Sequence, residues 1–335
     1  MLSSLIQSFP TTHVLVDDNL CYLRGMSTIL PLKNRLFRYY SDPQKALQWI
    51  NQEYNEEINS PDIENIFSRE HIGNCYGFDV GYIRKTIYNK KRFNRVSTVL
   101  VDYDMPLING IEFCRSIKNP YTQKILLTGF LGEKDARNAL NKGWIDMFLP
   151  KGEDSSQKIT ELIEDANKNY FAKANSLINS MLMTGSQENS FFSDKANDFI
   201  SDVVRHHNAI ELHMLNIRGD YLLVDENGIS CGLSMQDFTR RRENIELAVE
   251  LGVPKKVLNK LKDHTAIFCI DDQDELPHGK LWQRFIYPAI CLDKDKNILG
   301  TFGKDIFYKT DGTIQSFAPI FDQSVSDAIA YFGTY

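Results

Sequence analysis

The sequence predicts an α/β fold: a doubly wound, five-stranded parallel sheet carrying an insertion, followed by an α+β domain on an antiparallel sheet. Three observations carry this. Short apolar runs alternate with helical patterns through residues 10–154, as strands buried on both faces require. The alternation breaks between 55 and 96 and resumes at Ser97. Beyond residue 186 the apolar runs are joined by tight-turn sequences, the pattern of antiparallel hairpins.

In chain order, 13–18 reads as a buried strand and Asn19 to Leu30 as a helix that stops before Pro31. Arg35 to Tyr40 reads as a second strand. Ser41-Asp42-Pro43-Gln44 opens a helix with a cap candidate and proline in the first turn, its Ala46, Leu47 and Ile50 facing inward, fading near Asn55. Strand 98–102, helix 110–118, strand 124–128, helix 132–142 and strand 146–150 follow. From Ser155 an amphipathic stripe (Ile159, Ile163, Ala166, Tyr170, Ala174, Leu177, Met181) predicts a connecting helix within 155–185. Residues 186–335 form the expected α+β domain. Its strands are 211–217, 221–225, 229–235, 266–270, 286–293 and 298–302, with a helical stretch from Gln236 to Leu261 interrupted at Gly252-Val253-Pro254.

Bulk properties exclude several classes. A net charge of −6 gives no global attraction to nucleic acid or anionic membrane. No apolar run is long enough for a bilayer, and Met1 to Pro10 lacks the basic flank of a secretory signal, so a cytoplasmic location without membrane contact is expected. The six cysteines are scattered, with no CxxC, which suggests reduced and mostly buried thiols.

In four places an apolar run ends on a residue able to do chemistry. Val14-Leu15-Val16 ends on Asp17-Asp18, Val99-Leu100-Val101 on Asp102, Ile125-Leu126-Leu127 on Thr128, and Met147-Phe148-Leu149-Pro150 on Lys151. Parallel strands bring such ends to one rim, where open α/β folds place ligands. With Pro106 and Asn109-Gly110 after Asp102, this ordered set resembles the CheY-like receiver domain of bacterial two-component response regulators. The resemblance spans 13–151.

It implies a flavodoxin-like fold and a phosphoryl group accepted on Asp102 from a sensor histidine kinase or phosphotransfer protein. Mg²⁺ would be held directly by Asp18 and Asp102, through water by Asp17, and by the backbone carbonyl of Asp104. Thr128 and Lys151 would bind the phosphoryl oxygens, and Phe148 would be the switch aromatic. The chemistry suits these residue types, because an anionic nucleophile meeting an anionic phosphoryl group needs cations. Alternatively, one of Asp17 and Asp18 caps the following helix, Phe148 is ordinary core, and Lys151 is a solvated loop lysine. Two features depart from the family. Gly152 follows the lysine where proline is usual, and 55–96 is an insertion longer than an ordinary loop. That insertion lies on the side away from Asp102. Its basic end (Arg84, Lys85, Lys90, Lys91, Arg92, Arg95) would grip an acidic partner or form a solvated face.

For the second domain, Glu246 to Leu261 resembles a helix-turn-helix core. However, acids outnumber bases in 186–335, against what phosphate binding requires, so DNA is not the expected partner. Leu222–Gly228 and Ile290–Gly300 weakly resemble the opening and closing hairpins of a PAS-like module. Asp271-Asp272-Gln273-Asp274-Glu275 with His278 is an acidic loop, solvated or metal-holding. The expected protein is a phosphorylation-controlled signalling protein, not an enzyme, which homodimerises or engages a protein when phosphorylated. The alternatives are a DNA-binding transcription regulator and a receiver-controlled enzyme or small-ligand-binding output.

Overall fold

The computed structural model describes residues 6–30, 34–58, 70–72, 75–77, 86–129, 133–151, 155–176, 193–216, 218–270, 279–304, 306 and 314–333. Two compact units form, and the chain passes between them repeatedly. One holds Phe9–Asn65, Asn89–Ser176 and Phe317–Tyr335. The other holds Met1–Ser8, Ile66–Tyr88 and Leu177–Ser316. The expected boundaries therefore need revision at three places: the chain start, the insertion and the chain end. The acidic loop 271–275, His278, Gly152 and helix positions 177–183 lie outside the described residues.

Strand β1 (Gln7–Ser8) belongs to the second unit. The first unit begins with β2 (Thr12–Val16), α1 (Leu20–Ile29), β3 (Leu36–Tyr40) and α2 (Pro43–Ile58). The short hairpin β4 (Glu70–Ile72) and β5 (Cys75–Gly77) follows within the insertion. Then come β6 (Val96–Asp102), α3 (Gly110–Arg115), β7 (Gln123–Thr128), α4 (Glu133–Asn141), β8 (Met147–Pro150) and α5 (Ser155–Ala174). The sheet is parallel throughout, in the order β3-β2-β6-β7-β8. This is the flavodoxin-like order, with its switch point between β2 and β6.

Period-two alternation divides the strand residues between two cores. Val14, Val16, Val99, Val101 and Leu126 pack with Ala46 and Ile50 of α2, Phe113 of α3, and Ala136 and Ala139 of α4. Leu15, Leu100, Ile125 and Leu127 pack with Leu23 and Met26 of α1 and with Ile159, Ile163 and Ala166 of α5. Asp42 caps α2, accepting from the Gln44 and Lys45 amides at 2.9 and 3.2 Å, with Pro43 in the first turn as expected. The basic end of the insertion is partly consumed within the fold. Arg92 is fully buried, its guanidinium 4.0 Å from the Phe93 ring centroid, and Lys91 pairs with Glu56 at 2.5 Å.

The second unit contains α6 (Asp194–His206), β9 (Ala209–Met214), β10 (Asp220–Asp225), β11 (Ser230–Gln236), α7 (Phe238–Glu250), α8 (Lys255–Lys262), β12 (Ala266–Phe268), β13 (Ile286–Pro288), β14 (Ile290–Asp293) and β15 (Ile298–Gly303). Six strands form an antiparallel sheet, ordered β1-β9-β10-β11-β15-β14. The Asn227-Gly228 turn forms with Gly228 at φ +79°, and Asp225 accepts from the amides of Asn227 and Ile229. The expected strand 286–293 is instead two strands in different sheets, parted at Ala289. One face of the large sheet packs Phe199, Ile200 and Val203 of α6. The other gathers Leu222, Val224, Leu299 and, from the insertion, Ile87.

Helices α7 and α8 occupy the helix-turn-helix stretch, but Arg240 and Arg241 in the first turn of α7 are buried. Arg240 makes a bidentate pair with Asp220 at 2.8 and 2.6 Å, backed by the Ser234 hydroxyl. Cys114, Cys231 and Cys269 are buried and Cys21 and Cys291 exposed, each a free thiol.

The chain ends in α9 (Ala318–Gly333), which returns to the first unit. Its Phe332 enters the α1/α5 core, edge-on to Tyr39 at 5.6 Å, and Ser324 donates to the Phe37 carbonyl. Neither α6 nor α9 is among the expected elements.

Candidate functional site

The ends of β2, β6, β7 and β8 meet at one rim. Asp17 leaves β2 with its side chain 1% exposed and Asp18 follows, exposed. Asn19, not either aspartate, caps α1, accepting from the Tyr22 amide at 3.1 Å. The capping role proposed for the acids therefore falls away, and both are left for other work. Asp17 is instead oriented by the Asn19 amide, which donates to its Oδ1 at 2.9 Å.

Asp102 ends β6, buried. Its loop is tied by the Tyr103 amide to the Leu127 carbonyl at 2.8 Å and by the Gly110 amide to the Tyr103 carbonyl at 2.9 Å. Asn109 caps α3, accepting from the Glu112 amide at 2.9 Å. Leu107 takes the left-handed conformation at φ 72°, with 88% of its surface exposed. Gly110 is required for a different reason: a Cβ there would stand 2.3 Å from the Asp102 carbonyl oxygen. Asp104 lies exposed in the same loop.

Lys151 follows β8, its amide donating to the Thr128 carbonyl at 2.8 Å. Its ammonium bridges the two buried acids, 2.6 Å from Asp17 Oδ2 and 2.7 Å from Asp102 Oδ1. It is not a solvated loop lysine. Burial opposes its charge, but the bonds to Asp102 and Asp17 outweigh this and hold the ammonium above its ordinary pKa. Burial pushes the Asp17 carboxyl above its ordinary range, against the pull of Lys151 and the Asn19 amide.

Carboxylate oxygens of Asp17, Asp18 and Asp102 come within 4.8 Å of one another. Three hard oxygen donors suit Mg²⁺, which binds a few carboxylates and keeps several waters. Thr128 is fully buried, and its hydroxyl has no hydrogen-bond partner among the described residues. A buried hydroxyl without a partner is costly, and at this rim it is poised for an incoming acceptor oxygen. Phe148 is half-buried against the α2/α3/α4 core, opposite Leu126 in the β7–β8 register.

Tyr22 joins the site without having been foreseen. The Lys151 ammonium lies 4.7 Å from its ring centroid. Burial, then the charges of Asp17 and Asp102, push its phenol up to about 12. The available signal was an aromatic in the first turn after the paired acids.

No model of a known protein family matches the chain, and no curated protein matches it. Among solved structures, the response regulator LqsR of Legionella pneumophila is 25% identical, with a TM-score of 0.75 over 96% of each chain. A response regulator receiver domain protein from Clostridium thermocellum matches 50% of this chain and 98% of its own, at 19% identity and a TM-score of 0.32. A receiver domain of an HD domain-containing protein from Pseudomonas fluorescens matches 49% and 92%, at 20% identity and 0.34. No described helix is long and apolar enough to cross a membrane.

Proposed function

Since this chain is a response regulator with a CheY-like receiver domain, we propose that Asp102 accepts a phosphoryl group from a sensor histidine kinase or phosphotransfer protein. The observation that carries this is the constellation at the rim: Lys151 bridging two buried carboxylates, beside a buried Thr128 hydroxyl with no partner among the described residues. A carboxylate oxygen of Asp102 attacks phosphorus. The new P–O bond forms as the P–N bond of the donor histidine breaks, its electron pair leaving on the imidazole nitrogen.

Asp17, Asp18 and Asp102 are the side chains that would hold Mg²⁺, with the Asp104 carbonyl. When bound, the ion supplies positive charge against the carboxylates and the phosphoryl oxygens. Lys151 stays with the phosphoryl group as a second cation, already placed before transfer. Thr128 donates its free hydroxyl to a phosphoryl oxygen. Phe148 follows Thr128 inward, carrying the change to the surface near β8.

Phosphorylation then promotes homodimerisation or protein contact through the second unit, in the cytoplasm. Incubating the chain with phosphoramidate and Mg²⁺ tests the central claim. Wild type is expected to take label and Asp102→Asn to take none; equal labelling of both would sink the reading. Beryllofluoride is expected to raise the mass seen in light scattering to that of a dimer, and an unchanged mass would remove dimerisation.

A further inference from the structure

We propose that Tyr22 is a positioning residue for Lys151, its ring face holding the ammonium over Asp17 and Asp102 so that an arriving phosphoryl group meets a cation already in place. The inference rests on the reading of Asp102 as acceptor, but its own observations are separate.

The Lys151 ammonium sits 4.7 Å from the Tyr22 ring centroid, within cation–π range. The ring also packs against the core that holds Leu15, Leu23, Leu100 and Leu127. Its hydroxyl is buried and has no hydrogen-bond partner among the described residues. The phenol oxygen therefore does not hold Tyr22 in place; the ring's packing and its face on the cation do. Lys151 needs such a wall. Its side chain is 25% exposed, and it hangs on several rotatable bonds from a strand end. Lysine heads reach for water when they can, and without a surface beside it the ammonium would sample solvent as well as the carboxylates.

A simple packing role predicts something different. If Tyr22 only fills space beside the core, leucine replaces it with little effect on Lys151. If the ring positions the ammonium, phenylalanine preserves the effect and leucine does not.

Two measurements on the intact chain decide this. The first is trace acetylation of Lys151 by acetic anhydride, read by mass spectrometry without any phosphodonor. Tyr22→Phe is expected to match wild type, and Tyr22→Leu to expose the amine and raise its modification roughly 2- to 30-fold, the span of a cation–π contact. The second is Asp102 labelling by phosphoramidate with Mg²⁺. Tyr22→Leu is expected to slow it by a similar factor, Tyr22→Phe to leave it near wild type, and Tyr22→Leu to have no further effect in a Lys151→Ala background.

Unchanged acetylation in Tyr22→Leu overturns the proposal, as does a labelling defect that persists in the Lys151→Ala background. If wild type takes no label at all, the acceptor reading falls, and acetylation still decides the role of Tyr22. Thermal unfolding of each variant identifies any that has not folded. In that case Tyr22→Met, closer in shape and without a ring, replaces Tyr22→Leu.

Discussion

Gly110 is held so close to the end of β6 that one methyl group decides its fit. In Gly110→Ala the new Cβ would meet the Asp102 carbonyl at 2.3 Å and the Leu126 side chain at 2.6 Å. Backbone cannot yield as a flexible side chain can, so the loop must move. The expected result is a loss of about 1–3 kcal/mol in urea unfolding, together with slower labelling of Asp102. Thr128→Val should behave in the opposite sense for stability. It removes a buried hydroxyl that has no partner among the described residues, so stability is expected to hold or rise by about 1 kcal/mol while the response to beryllofluoride weakens. His13 supplies a pH dependence. It is fully buried in β2, and burial, helped by Arg35, holds its pKa well below 6.5. The unfolded chain then binds a proton that the folded chain refuses, so stability falls as pH drops below about 6.5. The slope from this one group is about 1.4 kcal/mol per pH unit. Chemical unfolding between pH 5 and 7 should show that slope reduced in His13→Leu; an identical slope would remove His13 as its source.

Among elements, α9 shows how packing overrules composition. Phe332 is buried in the core between α1 and α5, whereas Ile329 on the same helix is 68% exposed. Phe332→Ala is expected to cost about 3–5 kcal/mol in unfolding free energy, and Ile329→Ala less than about 0.5 kcal/mol. Equal losses would mean that the helix does not dock through Phe332. The central strands β2, β6 and β7 were legible because each is a short run buried on both faces, and α1 to α3 because caps and periodicity agree with them. The α6 signal was present too: Ser193 as cap and Ala196, Phe199, Ile200 and Val203 at helical spacing. It lies beside a polar stretch that reads as a joint. Helix α9 was harder, since apolar residues surround it and the 3.6-residue stripe is blurred. The break at Ala289 was invisible because 286–293 is one continuous β-forming run, and only pairing with two different partners divides it.

Across the whole molecule, neither unit is a single stretch of chain. The second unit needs β1 and Ile66–Tyr88 from before β6, and the first needs α9 from the chain's end. A fragment of residues 186–335 would therefore lack the β1 partner of β9 and the Ile87 side chain of its own core, and would carry α9 with nothing to cover Phe332. Such a fragment is expected to show no cooperative thermal transition; a sharp transition in a soluble monomer would refute the shared construction. The sequence by itself determined the parallel sheet and the order in which Asp17, Asp18, Asp102, Thr128 and Lys151 reach its rim, because alternation, strand ends and caps are local properties of the chain. Only the tertiary structure decided that Lys151 bridges Asp17 and Asp102, that Tyr22 flanks it, and that the insertion and last helix change units. Those depend on which distant surfaces bury one another, and sequence spacing carries no record of that.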